Sequence, residues 1–215
     1  MIPYVLAAGA CATAYGSDDT AASDVNDGGR DAATNGDTSS PPNDAATSDA
    51  GADGATTARR RIFATAGLFR GGEFGGLAGA DKLCAQAAKR QSLPGRYVAW
   101  LSDSTTSAIT RIVSNGPWYR VDDTIAVFET RAQLAQGPVA SVLLDENGIP
   151  IDGGANVWTG TFADGGRASA NCSNWTVISP GNGKAGLASS NDAFWTDAFD
   201  EPCSDYVRLL CLQAD

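Results

Sequence analysis

The chain contains no histidine among its 215 residues. That absence removes much chemistry at once. Imidazole is the side chain that titrates near neutrality, so Ser-His-Asp and Cys-His nucleophile systems and the usual zinc sites have no place here. The five cysteines (Cys11, Cys84, Cys172, Cys203 and Cys211) form no CxxC pair, which argues against a structural zinc site. The Gly-rich stretch 71–79 follows no long strand and does not spell GxGxxG, so phosphate cradling is not expected. No apolar run reaches the ~18 residues that a membrane-spanning helix needs. With no nucleophile motif either, an enzyme is not expected, and no cofactor is implied.

Positive charge is scarce and dispersed. Lys and Arg total 15 against 25 Asp and Glu, for a net charge of −10. Most of that charge sits in residues 12–58, which carry nine Asp and one Arg, while the remainder is nearly neutral. A nucleic-acid partner is not expected, because it would require a basic face.

What the chain does contain divides into three parts. Residues 1–11 end in Ala8-Gly9-Ala10-Cys11, an apolar run followed by small residues. They read as the remnant of a lipoprotein signal peptide, with Cys11 as the acylated residue and the only contact with a membrane. Residues 12–60 are an acidic Ala/Asp/Gly/Ser/Thr linker with Pro41-Pro42 and almost no branched aliphatics. Such a segment cannot bury enough apolar surface to offset its ordering entropy, so it is expected to be disordered. A flexible coil of that length spans roughly 40 Å, a tether that holds a domain away from a surface. Residues 61–215 have a globular composition.

The globular part reads as α+β. Arg61–Ala64 suggests a short strand. Leu77 to Leu93 has helical spacing, with Leu77, Ala80, Cys84, Ala87 and Ala88 on one face, Asp81 in its first turn and Pro94-Gly95 as a stop. Tyr97–Leu101 suggests a buried strand. Ser104–Val113 suggests a second helix, capped by Asp103 or Ser104, with Ile109, Ile112 and Val113 as its apolar stripe. Asn147-Gly148 between two apolar segments is a tight-turn signal. Asn156–Thr161 and Asp205–Gln213 read as further strands, and the stretch between Cys172 and Asp205 reads as loop-rich.

In order along the chain stand Gly79-Ala-Asp-Lys-Leu-Cys84, Tyr97-Val-Ala-Trp-Leu-Ser-Asp103, Val157-Trp-Thr-Gly-Thr161, Asn171-Cys-Ser-Asn-Trp175 and Val207-Arg-Leu-Leu-Cys-Leu212. Together they resemble the bacterial endostatin-like lipoproteins, whose domain is a variant of the C-type-lectin-like fold. The resemblance covers most of residues 62–213. It implies two helices, short and mostly antiparallel strands, long loops and two nested disulfides, Cys84–Cys211 and Cys172–Cys203. Spacing alone leaves three pairings of four cysteines open. The resemblance also implies an exported lipoprotein at the outer membrane or cell surface, binding an extracellular protein or glycan ligand.

Calcium-dependent lectins of this fold supply hard oxygen ligands from a long loop. Here the skeleton survives only as Ser179-Pro-Gly-Asn182 and Trp195-Thr-Asp197, and Asp197, Asp192, Asn191 and Glu201 are the groups left to gather around an ion. Calcium-dependent sugar binding is therefore an alternative, and a structural envelope role is another. Trp100 and Trp158 lie in apolar segments and read as core. Trp118, Trp175 and Trp195 lie near loops, and Trp175 and Trp195, with Asp197, are the candidate binding residues. Arg59-Arg60-Arg61 reads as a solvated hinge. The acidic pairs Asp122-Asp123, Asp145-Glu146 and Asp200-Glu201 read as solvated turns.

Overall fold

A computed structural model of the chain describes residues 59–152 and 155–215. The expected signal remnant 1–11 with Cys11, and all but the last two residues of the linker 12–60, lie outside the described residues.

Strand β1 (Arg60–Ala64) and strand β8 (Arg208–Gln213) form the antiparallel centre of a mixed sheet, with Ile62 opposite Leu212 and Phe63 opposite Cys211. Strand β2 (Tyr97–Ala99) also pairs with β8. Outward from β1 come β3 (Trp118–Arg120), parallel to it, and β4 (Ala126–Phe128). On the far side of β8 come β5 (Asn156–Trp158), parallel to it, then β6 (Asn182–Leu187) and β7 (Phe199–Pro202), both antiparallel.

Side chains along a strand alternate between faces. Here both faces are buried, so the central strands read as continuous apolar runs. Ile62, Ala64, Val98, Leu210 and Leu212 enter one core with Trp100, Trp118, Phe128 and Trp195. Phe63, Tyr97, Ala99, Leu209 and Cys211 enter the other, against helix α1 (Leu77–Arg90) and with Trp158 and Trp175. α1 buries Ala80, Cys84, Ala87 and Ala88, the face its spacing indicates. Those side chains are small, so the helix lies close to the sheet. Gly79 makes a different close approach, to the loop that enters the helix: a Cβ there would overlap the carbonyl oxygen of Phe74. Lys89 and Arg90 fall in its last turn, favourable to the helix dipole.

Both disulfides pair as the resemblance implies. Cys84–Cys211 ties α1 to β8 across a sequence separation of 127, and Cys172–Cys203 bridges a separation of 31. Chain-entropy estimates give about 5 kcal/mol for the first and somewhat under 4 for the second.

Several expectations need correction. Asp81 is not in the first turn of α1. It lies one turn further in, where its carboxylate accepts from Ala99 N (2.9 Å) and pairs with Arg111. The second helix at 104–113 does not form. Only Ala108–Arg111 makes a 3-10 turn, and Val113 is exposed. Asp103 caps something smaller: its Oδ1 accepts from Thr105 N and Thr106 N (2.8 and 2.7 Å) and closes a tight loop. The second helical element is instead α2, the single turn Cys172–Trp175. The region after Cys172 is not all loop, since β6 and β7 lie within it. The Asn147-Gly148 turn forms, with Gly148 at φ 76°, but its flanks make only isolated bridges.

The charged runs are also less solvated than their sequence suggests. Asp145 and Glu146 are buried. Glu146 accepts from Ala66 N (2.6 Å) and pairs with Arg90 (3.0 Å), so it docks α1 against the 65–66 corner. Arg59 and Arg61 both pair with Asp123 (3.3 and 2.9 Å), and Arg60 donates to the carbonyls of Asp215 and Gly116 (2.6 and 2.8 Å). The arginine run is therefore stitched to the domain.

Candidate functional site

α2 is the most strained backbone of the described residues. Cys172, Ser173, Asn174 and Trp175 have φ of 49°, 52°, 59° and 63°. None is glycine. A left-handed turn of L-residues costs about 1–2 kcal/mol per residue, because Cβ crowds the following carbonyl oxygen. The turn closes like a helix of the opposite hand, with Trp175 N donating to Asn171 O (2.8 Å) and Thr176 N to Cys172 O (3.1 Å).

Its surroundings explain how it persists. The Asn171 side chain accepts from Asn174 N (3.0 Å), and the Asn174 side chain accepts from Ser104 N (2.9 Å). Cys172 is bonded to Cys203 beyond the end of β7. Trp175 is fully buried, with its Nε1 donating to Ser102 O (2.7 Å) and its ring centroid 5.8 Å from that of Phe74 and 5.6 Å from that of Trp158. Gly183 of β6 bridges to Asn171, and a Cβ there would lie 2.8–2.9 Å from Trp158, Cys172 Sγ and Trp175. Only glycine lets the strand approach the turn this closely.

Two hollows open on either side of the turn and share Ser169 and Asn171. One, of about 340 Å³, is lined also by Ser173, Asn182 and Asp200. The other, of about 430 Å³, is lined also by Ser104, Arg167 and Asn174. They form one polar trough of amides and hydroxyls with a charge of each sign. The hydroxyls of Ser169 and Ser173 and the side-chain amide of Asn182 have no hydrogen-bond partner among the described residues. Arg167 is steadied by donation to Ser104 O (2.6 Å). Ser102, Thr159, Thr161 and Thr196 are fully buried and bonded to one another, and the carbonyl of Ser102 is the acceptor that anchors Trp175.

Beside the trough stands an internal cation. Lys184 on β6 pairs with Asp200 on β7 (2.7 Å) and with Asp197 (3.3 Å). Burial lowers the lysine's pKa, but hydrogen bonds and charge from Asp200 and Asp197 outweigh it, and the net shift is upward. The exposed ring of Phe162 lies 5.8 Å from Lys184 Nζ.

The sequence-predicted binding residues scatter across this arrangement. Trp175 and Trp195 are 0% and 1% exposed, so neither ring presents a face to solvent, and Trp118 is buried too. Their loop-like neighbourhoods concealed core positions. Asp197 does reach the region, as a partner of Lys184. Asp192 caps the 3-10 turn Ala193–Trp195 by accepting from Phe194 N (2.9 Å), and Glu201 accepts from Asn156 Nδ2 (2.7 Å). Among the described residues, no group of three or more acidic or Cys side chains stands close enough to hold a metal ion. Ser169 and Lys184 carry no motif and were missed, and Asn182 stood out only as the end of the Ser179-Pro-Gly-Asn182 skeleton. Asn174, at φ 59°, did leave a trace, because Asn is among the residues that best tolerate left-handed backbone, whereas Asn171 caps the turn with an ordinary φ of −144°.

A family model described as a protein of unknown function, DUF1554, matches residues 67–193. The chain belongs to the DUF1554 family. No curated protein matches it. The matched DUF1554 segment holds α1, the left-handed turn, Lys184 and every trough residue except Asp200. Cys203 and Cys211, which secure both disulfides, follow it.

Proposed function

We propose that this DUF1554 protein is an exported, non-catalytic recognition module of endostatin-like, C-type-lectin-like fold. Lipidation at Cys11 and the acidic linker would hold it at the outer membrane or cell surface. The polar trough carries the reading: a strained turn, fixed by a disulfide and a buried Trp, presents uncommitted hydroxyls and amides to solvent. Strained backbone persists where the surroundings over-determine it, and such places cluster at ligand sites. The two disulfides support an oxidising compartment. The complementary ligand is a polar one, an extracellular protein loop or a glycan that exchanges hydrogen bonds with Ser169, Ser173 and Asn182.

The test uses the oxidised full chain against immobilised glycans and a panel of extracellular matrix proteins. Ser169→Trp and Asn182→Trp fill the trough from exposed positions. Binding that both substitutions abolish, with the fold retained, supports the reading. Silence on both panels would leave a structural envelope protein as the better account.

A further inference from the structure

Away from the trough, the end of α1 and the turn into β2 border an open hollow of about 510 Å³, lined by Ala85, Ala88, Lys89, Ser92, Leu93, Gly95, Arg96 and Tyr97. That volume falls within the roughly 300–1,000 Å³ of ligand pockets, and apolar walls with a few placed polar groups are their usual composition. Ala85, Ala88, Leu93 and the Tyr97 ring supply the apolar walls. Lys89 and Arg96 supply charge. Both are exposed, and neither has an ion-pair partner among the described residues.

The frame is rigid. Leu93 N donates to Ala88 O (3.0 Å) and Ser92 N to Lys89 O (3.1 Å), so these carbonyls at the helix end are already occupied. Ser92 and Gly95 hold φ of 55° and 90°. The Arg96 backbone is fixed on both sides, its N donating to the Asp215 carboxylate (3.0 Å) and its O accepting from Ala214 N (2.8 Å). Lys89 lies in the last turn of α1 and also serves the helix dipole. Arg96 lies beyond the helix and has no such duty. Tyr97 is 2% exposed, and its hydroxyl has no hydrogen-bond partner among the described residues. Burial above all holds its pKa well above the ordinary value, so it stays a neutral donor.

We infer that this hollow is a second binding site, independent of the trough, for a small amphipathic anion: a carboxylate or phosphate head on an apolar body. The body packs on Ala85, Ala88, Leu93 and the Tyr97 ring. The head lies between Lys89 and Arg96.

Calorimetry on the oxidised full chain tests this with three probes sharing one tail: octanoate, octyl phosphate and octanol. At least one anion binds about tenfold or more tighter than the alcohol, and the preferred anion identifies the head. Lys89→Ala with Arg96→Ala removes about tenfold or more of the anion affinity and leaves the alcohol unchanged. Ala85→Trp fills the hollow and abolishes binding of all three. Circular dichroism and thermal unfolding check that fold, and Ala85→Phe replaces the variant if it fails. No binding of any probe, equal affinity for octanol and the anions, or full anion affinity in the double variant overturns the proposal.

Discussion

Ser173 offers a clean test of backbone handedness. Its φ and ψ are 52° and 57°, and its hydroxyl has no partner among the described residues. In a right-handed helix, Gly is about 1 kcal/mol worse than Ala. In a left-handed turn the order inverts. Ala retains the Cβ clash, worth about 1–2 kcal/mol, and Gly removes it. Glycine's extra freedom in the unfolded chain returns about 0.5–1 kcal/mol of that. The expected result is therefore Ser173→Gly more stable than wild type by about 0.5–1 kcal/mol, and Ser173→Ala no better than wild type. Neither change adds or removes a core contact, so the comparison isolates the backbone. For a domain of this size each kcal/mol moves the melting temperature by about 2–4 °C. Thermal and urea unfolding of the oxidised protein measure it. Ser173→Ala proving more stable than Ser173→Gly would refute a left-handed turn here, and with it the strained frame of the trough.

Other predictions follow from single contacts. Gly79→Ala drives a Cβ into the Phe74 carbonyl and should cost about 2–3 kcal/mol in urea unfolding, against the usual helix preference for Ala. Arg111→Met strips donors from Ala99 O and Leu101 O (2.9 and 3.1 Å) and the partner of Asp81, and should lower stability by about 2 kcal/mol by the same measurement. Lys184 has a raised folded pKa, so its contribution is fully present below its ordinary value of 10.5 and is lost as pH rises through the folded value. Lys184→Met should flatten that alkaline loss in a pH series of melting temperatures. Asp103 is held below its ordinary pKa: burial raises it, but the N–H groups of Thr105 and Thr106 outweigh burial. Its contribution is present above pH 3.8 and lost as pH falls further, so Asp103→Asn should lessen the acid-side fall in stability.

The parts legible in the sequence were those governed by local pattern. The apolar face of α1 shows because 3.6-residue spacing is written into Ala80, Cys84 and Ala87. The central strands show because they are apolar on both faces. The proposed helix at 104–113 failed for a tertiary reason: Asp103 holds Thr105 and Thr106 in a tight loop, and Arg111 is pulled to Asp81 and the carbonyls of Ala99 and Leu101. Trp175 and Trp195 looked peripheral because their flanks are polar, yet Trp175 donates its indole N–H to the buried Ser102 carbonyl, and Thr196 beside Trp195 is itself buried and accepts from Trp100 Nε1. The trough was hard to read because its residues are ordinary Ser and Asn with one Arg and one Asp, gathered from four stretches of chain. Only the left-handed backbone of Cys172–Trp175 sets it apart, and Asn174 is the one residue there whose type favours it.

Strand β8 is the last element in chain order, yet it pairs with β1, β2 and β5. Its partners must therefore wait. A ribosome that has made residues 59–202 has supplied both halves of the sheet without the strand that joins them, and without Cys211 to close the bridge from Cys84. Pairing across so long a stretch is slow by nature, since the loop must close before its contacts stabilise anything. Until β8 is added, neither half of the sheet has its central partner, so loss of the β8 residues is far more damaging than loss of an edge strand such as β4.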